Sequence, residues 1–233
     1  MNIFVTATRG TKSDFAHRPL GRSFQRMSSD STLRLAVVEN NRQGLSKVFN
    51  RFITEDIRGH NVVFVHDDLW LDDMFLSDRI RAALEMFDVV GVAGNQRLVS
   101  GAPAWHVKND EMEWDTEFLS GIVSHGAGPF GAPSVYGPTP APVQLLDGVL
   151  IAARVSALLD AGVRFDERFD YHFYDLDFSR QANLAKLSVG TWPIAVTHTS
   201  PGAFGTSGWQ EGLKLYRDKW GAIAEGDSQQ TCR

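Results

Sequence analysis

The sequence predicts an α/β fold with a mostly parallel central sheet flanked by helices. In the amino-terminal part of the chain, short apolar runs alternate with segments whose apolar residues follow helical spacing. This β-α-β-α-β alternation is typical of a parallel, doubly wound sheet. The predicted strands are residues 2–6, 33–38, 62–65 and 89–92, and the predicted helices between them are residues 45–53 and 75–87.

The regular alternation stops at about residue 95. Residues 124–143 are rich in glycine and proline, which exclude a helix or a central strand there and are typical of a binding segment. Farther along, periodicity predicts a helix at residues 175–187, a strand at 192–197 and an amphipathic helix at 209–220.

The composition is that of an ordinary globular protein. The chain has 233 residues, of which 43% are hydrophobic and 22% are charged, enough for one sizeable core. A net charge of -5 argues against a nucleic-acid partner. Cys232 is the sole cysteine, which excludes an internal disulfide and thiolate metal sites. Without a secretory leader or an apolar run long enough to span a bilayer, we expect a cytoplasmic protein with no transmembrane segment. Peripheral contact with the inner membrane face stays open.

Two adjacent carboxylates follow the strand at residues 62–65. Asp67 and Asp68 come directly after His66. Ligands of open α/β sheets bind outside the carboxyl ends of the strands, and two neighbouring carboxylates favour a cation there. Oxygen ligands fit Mg²⁺ or Mn²⁺, which are commonly shared with substrate phosphates. A turn or helix cap explains the same pair equally well.

A basic pair opens the helix that follows the second strand. Lys47 and Arg51 lie one turn apart on that helix, whose first backbone N–H groups are free to bind an anion such as a diphosphate. A simple solvated helix surface is the alternative explanation.

An acidic pair and a histidine mark the second half of the chain. Asp175 and Asp177 stand at a predicted helix start, next to several aromatic residues. Capping explains one of them, and a carboxylate walled by aromatics suits a general base near neutral pH. His198 follows a strand and precedes the glycine-rich segment 201–208, which is able to close over a ligand. A hydrogen-bonded structural histidine is the alternative to a metal ligand.

Taken in order, these segments resemble the inverting glycosyltransferases of the GT-A fold, family two, especially their bacterial glycosyltransferase-like branch. The resemblance spans about residues 33–205. Asn41, Gly44, Leu45 and Asn50 are similar to the family's Asn-x-Gly-Leu-x-x-x-x-Asn helix, with one extra residue between Asn41 and Gly44. The segment 64–68 is similar to its Asp-x-Asp motif, and Tyr174-Asp175-Leu176-Asp177 is similar to its Glu-Asp-x-Asp pattern. The segments 146–149 and 163–169 also resemble segments of the family.

The resemblance implies a GT-A (Rossmann-like) fold and a set of roles. Asp175 is then the catalytic base, and Asp68 and His198 hold Mn²⁺ or Mg²⁺. Contacts to the donor, a nucleotide-diphosphate sugar such as a UDP- or dTDP-sugar, are expected from Thr6, Ala7, Glu39, Asn41, Lys47, Asn50 and Asp67. Contacts to the transferred sugar or to a glycan or lipid-linked glycan acceptor are expected from Asp147, Gly148, Tyr174 and Trp105. The role of His66 stays open.

The same resemblance implies a single domain over residues 1–224. Its nucleotide-binding half is residues 1–95 and its acceptor and catalytic half is residues 96–224, followed by a polar tail at 225–233. Polysaccharide biosynthesis is the expected context.

Two other functions compete with sugar transfer. A nucleotidyltransferase that makes the nucleotide sugar normally carries a glycine-rich basic signature after the first strand, of which this chain has only Arg9, Gly10 and Lys12. A non-catalytic carbohydrate-binding protein on the same fold is the second. A P-loop kinase or NTPase is not expected, because no Gly-x-x-x-x-Gly-Lys-Ser/Thr motif occurs.

Overall fold

The computed structural model describes residues 1–200 and 202–221. The predicted polar tail at residues 225–233, which includes Cys232, lies outside the described residues, as does Pro201. The strands are β1 (Asn2–Ala7), β2 (Leu33–Val38), β3 (Asn61–Val65), β4 (Leu69–Leu71), β5 (Val89–Gly91), β6 (Ala93–Asn95), β7 (Leu119–His125), β8 (Ala132–Gly137), β9 (Ala141–Pro142), β10 (Leu145–Leu146), β11 (Leu150–Arg154), β12 (Val189–Thr191) and β13 (Val196–His198). The helices are α1 (Lys12–Ala16), α2 (Pro19–Arg26), α3 (Leu45–Asn50), α4 (Leu76–Met86), α5 (Val155–Asp160), α6 (Tyr174–Leu184) and α7 (Ser207–Trp220), with a 3₁₀ turn at Glu55–Ile57.

A seven-stranded sheet, counted over the described residues, forms the centre of the molecule. Its order is β2-β1-β3-β11-β5-β12-β9. Strands β2, β1, β3, β5 and β12 run in one direction, and β11 and β9 run in the other. This confirms the predicted α/β, Rossmann-like class with a mostly parallel sheet. The carboxyl end of β3 therefore opens at the sheet edge where ligands bind in such folds.

A second sheet covers the region after β3 and the part of the chain where the alternation stops. Its order is β10-β6-β7-β13-β4, and β8 pairs with β7. The glycine- and proline-rich residues 124–143 contain the edge strands β8 and β9 and no helix. The predicted exclusion of a helix is thus confirmed, whereas the exclusion of a central strand is wrong at Ser124 and His125, which end β7 and pair with β8 and β13 on either side. The predicted strand at 192–197 is replaced by β12 and β13, which belong to different sheets.

Two short helices follow β1 where apolar spacing predicts none. Thr11 caps α1 by accepting a hydrogen bond from the backbone of Asp14, whose carboxylate accepts one from the Thr11 backbone in return. Pro19 starts α2, a position that needs no N–H donor. These local signals place Arg18 between the two helices, beside the end of β3.

An aromatic cluster in the core fixes α6 against β3. Phe64 of β3 contacts Phe165 edge to face, with ring centroids 4.9 Å apart. Phe165 stacks on Phe178 of α6 at 4.2 Å. Phe49 of α3 completes the cluster at 4.9 Å from Phe64. Burying large aromatic rings gives these contacts most of their stabilising energy, so the start of α6 is held rigidly near the end of β3.

No helix among the described residues has both the length and the apolar character needed to cross a bilayer.

Candidate functional site

The turn after β3 and the end of β13 bring one carboxylate and two histidines together. β4 pairs antiparallel with β13, and in that register His198 lies opposite Leu69, next to Asp68. Asp68 Oδ1 lies 3.3 Å from His198 Nε2 and 3.9 Å from His66 Nδ1. Thr199 fixes the turn, since its backbone N–H donates to the Asp68 carbonyl at 3.2 Å. The strand pairing therefore builds a compact polar cluster at the sheet edge.

The electrostatics of this cluster favour a carboxylate beside a basic imidazole. Burial by itself raises the pKa of Asp68, but the interactions with His198, His66 and Arg18 together lower it below its ordinary value. Burial by itself lowers the pKa of His198, and the Asp68 carboxylate raises it above its ordinary value. Asp68 is consequently ionised at neutral pH and is available as a metal ligand.

The donor set fits a divalent metal ion. One ligand atom each from His66, Asp68 and His198 lie within 4.8 Å of one another. His198 Nε2 is buried, and its 3.3 Å contact with Asp68 Oδ1 is not aligned as a hydrogen bond, so the atom lacks a well-formed hydrogen bond to the described residues. A buried polar atom without a partner is costly, and a cation shared with Asp68 removes that cost. Imidazole nitrogen and carboxylate oxygen are both common ligands of first-row divalent ions.

Asp175 lies at the start of α6 and is half-buried. Burial is the main cause that raises its pKa to about 7, and the negative charge of Asp147 adds to the shift. Its Oδ2 accepts the Gly148 N–H at 2.9 Å and its Oδ1 accepts the Leu176 N–H at 2.9 Å. These two backbone bonds hold the carboxylate in one orientation. A positioned carboxyl group with a pKa near neutrality suits general acid–base chemistry.

Two backbone features place Asp175 where it is. Phe173, the residue before α6, has a φ of 63°, a left-handed conformation that is unfavourable for a bulky side chain. Gly148 packs closely on the same helix start, since a Cβ there would lie 2.4 Å from Tyr174 Oη and 3.0 Å from Asp175 Cβ. A glycine is therefore required at position 148 for this approach.

Two cavities meet at this site and share His66 and Tyr171 in their walls. The larger, which we call the donor-side cavity, has a volume of about 1020 Å³. It is lined by residues 7–10, Asp14, Arg18, residues 41–45, residues 65–68, Asp170 and Tyr171. The smaller, which we call the acceptor-side cavity, has a volume of about 350 Å³ and contains both Asp147 and Asp175.

Aromatic side chains form much of the wall of the acceptor-side cavity. The Trp105 indole donates to Asp147 Oδ2 at 2.9 Å. Trp114 stacks on Tyr136 with centroids 5.9 Å apart and planes 28° apart, and 52% of Trp114 is exposed. His106 contacts both tryptophans. The arrangement presents flat apolar faces next to a hydrogen-bonding carboxylate, as binding sites for amphipathic rings do.

Three arginines and four aspartates line the donor-side cavity. Arg18 binds Asp67 through two hydrogen bonds of 3.0 and 3.2 Å. Arg9 and Arg42 also line this cavity, and the Arg42 guanidinium donates to the Arg9 carbonyl at 3.1 Å. Guanidinium groups at this position match the chemistry of phosphate recognition. Arg18 is a residue that the sequence analysis misses, because it lies between two helices too short to show a periodic pattern.

The predicted donor contacts fall into two groups. Ala7, Asn41 and Asp67 line the donor-side cavity. The other predicted donor residues line neither of the two cavities; they are Thr6, Glu39, Lys47 and Asn50.

Each residue of the second group has a different environment. Thr6 is completely buried in β1. Glu39 accepts a hydrogen bond of 2.7 Å from the Lys12 backbone, in a separate pocket. Lys47 is exposed on α3. The Asn50 side-chain amide donates to the Phe165 carbonyl oxygen and accepts from the Phe165 N–H, each at 2.9 Å. These two bonds connect α3 to the segment before α6.

All four residues predicted for the acceptor side line the acceptor-side cavity together with Asp175; they are Trp105, Asp147, Gly148 and Tyr174. Asp177, in contrast, points away from it and is completely buried. Its carboxylate accepts hydrogen bonds from Trp220 Nε1 at 2.8 Å and Gln181 Nε2 at 2.6 Å, and pairs with Lys219 Nζ at 2.6 Å. Asp177 therefore anchors α7 to the back of α6.

Comparison with known proteins gives only distant similarity. No protein-family model matches the sequence, and no curated protein is detectably similar to it. Among solved structures, A197 from STIV is similar with a TM-score of 0.48 and 10% identity, over 82% of this chain and 81% of that chain. S. aureus TarS 1–349 in complex with UDP is similar with a TM-score of 0.46 and 16% identity, over 98% of this chain and 67% of that chain. At these values we draw no functional conclusion from either similarity and rely on the site itself.

Proposed function

We propose that this protein is a metal-dependent, inverting glycosyltransferase that moves a sugar from a nucleotide-diphosphate sugar to a hydroxyl group of a glycan or lipid-linked glycan. The observation that carries this proposal is the position of Asp175. A carboxyl group with a pKa of about 7 lines a cavity that adjoins a cluster of potential metal ligands and a second, arginine-bordered cavity. A general base between an anion site and an aromatic-walled site is what transfer between two bound substrates requires.

The donor is assigned to the donor-side cavity. Its volume and its border of Arg9, Arg18 and Arg42 suit a nucleoside diphosphate group. Asp68 and His198 would hold the divalent ion, Mn²⁺ or Mg²⁺. When bound, the ion supplies positive charge that stabilises the diphosphate as it leaves.

The acceptor is assigned to the acceptor-side cavity. Trp114 and Tyr136 offer flat faces for a sugar ring, and Asp147, held by the Trp105 indole, offers a hydrogen-bond acceptor for a hydroxyl group. A ring bound there lies next to Asp175, which lines the same cavity. Binding both substrates around one carboxylate lowers the entropic part of the barrier.

The chemical step follows from these positions. Asp175 takes the proton from the acceptor hydroxyl while its oxygen forms a bond to the anomeric carbon. The bond from that carbon to the diphosphate breaks, the electron pair leaves with the diphosphate, and the configuration inverts. The N–H groups of Gly148 and Leu176 keep the carboxylate oriented throughout. Burial, with the added negative charge of Asp147, raises the pKa of Asp175 to about 7, so that this carboxylate can accept a proton near neutral pH.

The first experiment is a thermal-shift panel of nucleoside diphosphates and nucleotide sugars, each with Mn²⁺ and with EDTA. A ligand at a hundredfold excess over its Kd raises stability by about 2.7 kcal/mol, which is about 5–11 °C for a chain of this size. We expect one nucleotide to raise the Tm only in the presence of the metal. No shift with any nucleotide, in folded protein, contradicts the proposal and favours a non-catalytic carbohydrate-binding protein.

Product analysis separates the proposal from nucleotide-sugar synthesis. With the donor identified above, a mixture of acceptor sugars and Mn²⁺, we expect release of free nucleoside diphosphate. Formation of pyrophosphate from a nucleoside triphosphate and a sugar phosphate would instead identify a nucleotidyltransferase.

A further inference from the structure

A chain of two hydrogen bonds fixes the proton on the His66 ring. Tyr174 Oη lies 2.8 Å from the Gly148 carbonyl oxygen and 2.9 Å from His66 Nε2. A carbonyl oxygen only accepts, so the tyrosine hydroxyl donates its single proton to Gly148. The tyrosine oxygen is left to accept, and His66 Nε2 must be the donor. The neutral ring therefore carries its proton on Nε2 and a lone pair on Nδ1.

The lone pair of His66 Nδ1 faces another acceptor. Nδ1 lies 3.9 Å from Asp68 Oδ1, and an ionised carboxylate has no proton to donate. On the other side of Asp68, the buried His198 Nε2 lies 3.3 Å from Asp68 Oδ1 without the alignment of a hydrogen bond. Tyr171 stacks on the His66 ring, with planes 20° apart, and limits its rotation. Two imidazole nitrogens that flank one carboxylate in this way can share a cation with it.

We propose that His66 is a third ligand of the cation, and that Tyr174 is the positioning residue that presents its Nδ1. The inference rests on the proposed function, because it concerns the cation that sugar transfer would need. It gives that cation a set of two imidazole nitrogens and one carboxylate. Mg²⁺ prefers all-oxygen surroundings, whereas Mn²⁺, Co²⁺ and Zn²⁺ accept imidazole with increasing affinity. The site therefore selects a first-row transition ion over Mg²⁺.

The test counts nitrogen ligands directly and needs no sugar transfer. Pulsed EPR of Mn²⁺ bound to the whole chain detects coupling to coordinated ¹⁴N. We expect two imidazole nitrogens in the wild type and one in His66→Ala. His17→Asn, a change at an exposed histidine on the end of α1, should keep two. A single nitrogen in the wild type, or an unchanged pair in His66→Ala, overturns the assignment.

Calorimetry tests the metal preference and the role of Tyr174. We expect Co²⁺ to bind the wild type more tightly than Mg²⁺, and Tyr174→Phe to weaken Co²⁺ binding about 10–100-fold, as loss of a hydrogen bond to a ligating histidine does. His66→Asp replaces a nitrogen by an oxygen ligand and should reduce the preference for Co²⁺ over Mg²⁺. Equal affinities for both ions in the wild type, or an unchanged ratio in His66→Asp, contradict the inference.

The tautomer is measurable without metal. Long-range ¹H–¹⁵N spectra of the metal-free protein should show His66 with its proton on Nε2, and a proton on Nδ1 would overturn the hydrogen-bond argument. Near-UV circular dichroism of each variant shows whether it is folded. Two-nitrogen Mn²⁺ binding without sugar transfer would leave this inference standing and refute the proposed function. Sugar transfer by a protein that binds Mn²⁺ through one nitrogen would refute this inference and leave the proposed function standing.

Discussion

Replacing Asp175 by asparagine should change the stability of the protein in a way that depends on pH. The pKa of Asp175 is raised to about 7 in the folded protein, mainly by burial, whereas an unfolded chain has the ordinary value of 3.8. Between these two values the folded protein holds a proton that the unfolded chain has released. The free energy of unfolding therefore falls as pH rises between these two values. The stability that this carboxyl group contributes at low pH is lost once the pH has risen through 7.

The magnitude follows from the width of the pH interval. Each pH unit between the two pKa values costs about 1.4 kcal/mol of unfolding free energy. Because the group is half ionised at its folded pKa, the wild type should lose about 2 kcal/mol relative to Asp175→Asn from pH 5 to pH 7, with little further change above pH 8. For a chain of this size that corresponds to about 4–8 °C in Tm. The asparagine amide also faces a backbone N–H that the carboxylate accepted, but that cost is independent of pH.

The assay is thermal or urea unfolding of both proteins at pH 5, 6, 7 and 8. Asp78→Asn, at an exposed position on α4, is the matched control and should show no such dependence. Asp175→Asn should also lose about 10²–10⁴-fold in the rate of sugar transfer, while its affinity for the donor stays nearly unchanged. A stability difference that is constant from pH 5 to 8 would refute the raised pKa. Activity within threefold of the wild type would refute the assignment of the base.

Further substitutions separate the roles of neighbouring residues. Asp68→Ala should abolish metal-dependent donor binding, and an unchanged calorimetric Kd would remove Asp68 from the site. Trp114→Ala should raise the KM for the acceptor about tenfold with kcat and the donor Kd unchanged, and an unaltered acceptor KM would contradict the stacking role. Asp177→Ala should lower the unfolding free energy by about 1–3 kcal/mol, because it removes the acceptor of the Trp220 indole N–H and leaves Lys219 with Asp166 as its carboxylate partner, whereas Asp177→Asn keeps the bond to Trp220 and should lose less. Equal unfolding curves for the two Asp177 variants would count against that anchor.

The parts of the fold and site that the sequence predicts are those that depend on local pattern. The alternation of strands and helices follows from the spacing of apolar residues, and the boundaries of α4 and β5 differ from the predicted ones by a residue. The family resemblance implies a shared role for Asp68 and His198, and the structure brings them together because β4, which follows Asp68, pairs with β13, which ends at His198. The aromatic residues next to Asp175 in the sequence indicate a raised pKa, and burial is the main cause of the raised pKa in the structure; the role of Asp175 as a base stays a prediction.

The parts that the sequence does not predict depend on contacts between distant segments. His66 and Tyr174 are separated by 108 positions, and the sequence around either residue does not indicate that they form a hydrogen bond. Asn50 lies in a motif that resembles a donor-binding helix, yet its amide binds the backbone of Phe165, 115 positions away. Asp177 belongs to the same acidic motif as Asp175, but its place in the helix turns it toward α7. In each case the partner, which decides the role, is supplied only by the tertiary fold.

The most direct measurement is NMR of the transfer reaction, with the donor selected by metal-dependent binding. We expect the wild type to link the transferred sugar to an acceptor hydroxyl with inverted anomeric configuration and to release one nucleoside diphosphate per linkage. Asp175→Asn should lose this reaction. A product with retained configuration, or the same rate in Asp175→Asn, would contradict the claim that Asp175 activates the acceptor for in-line attack.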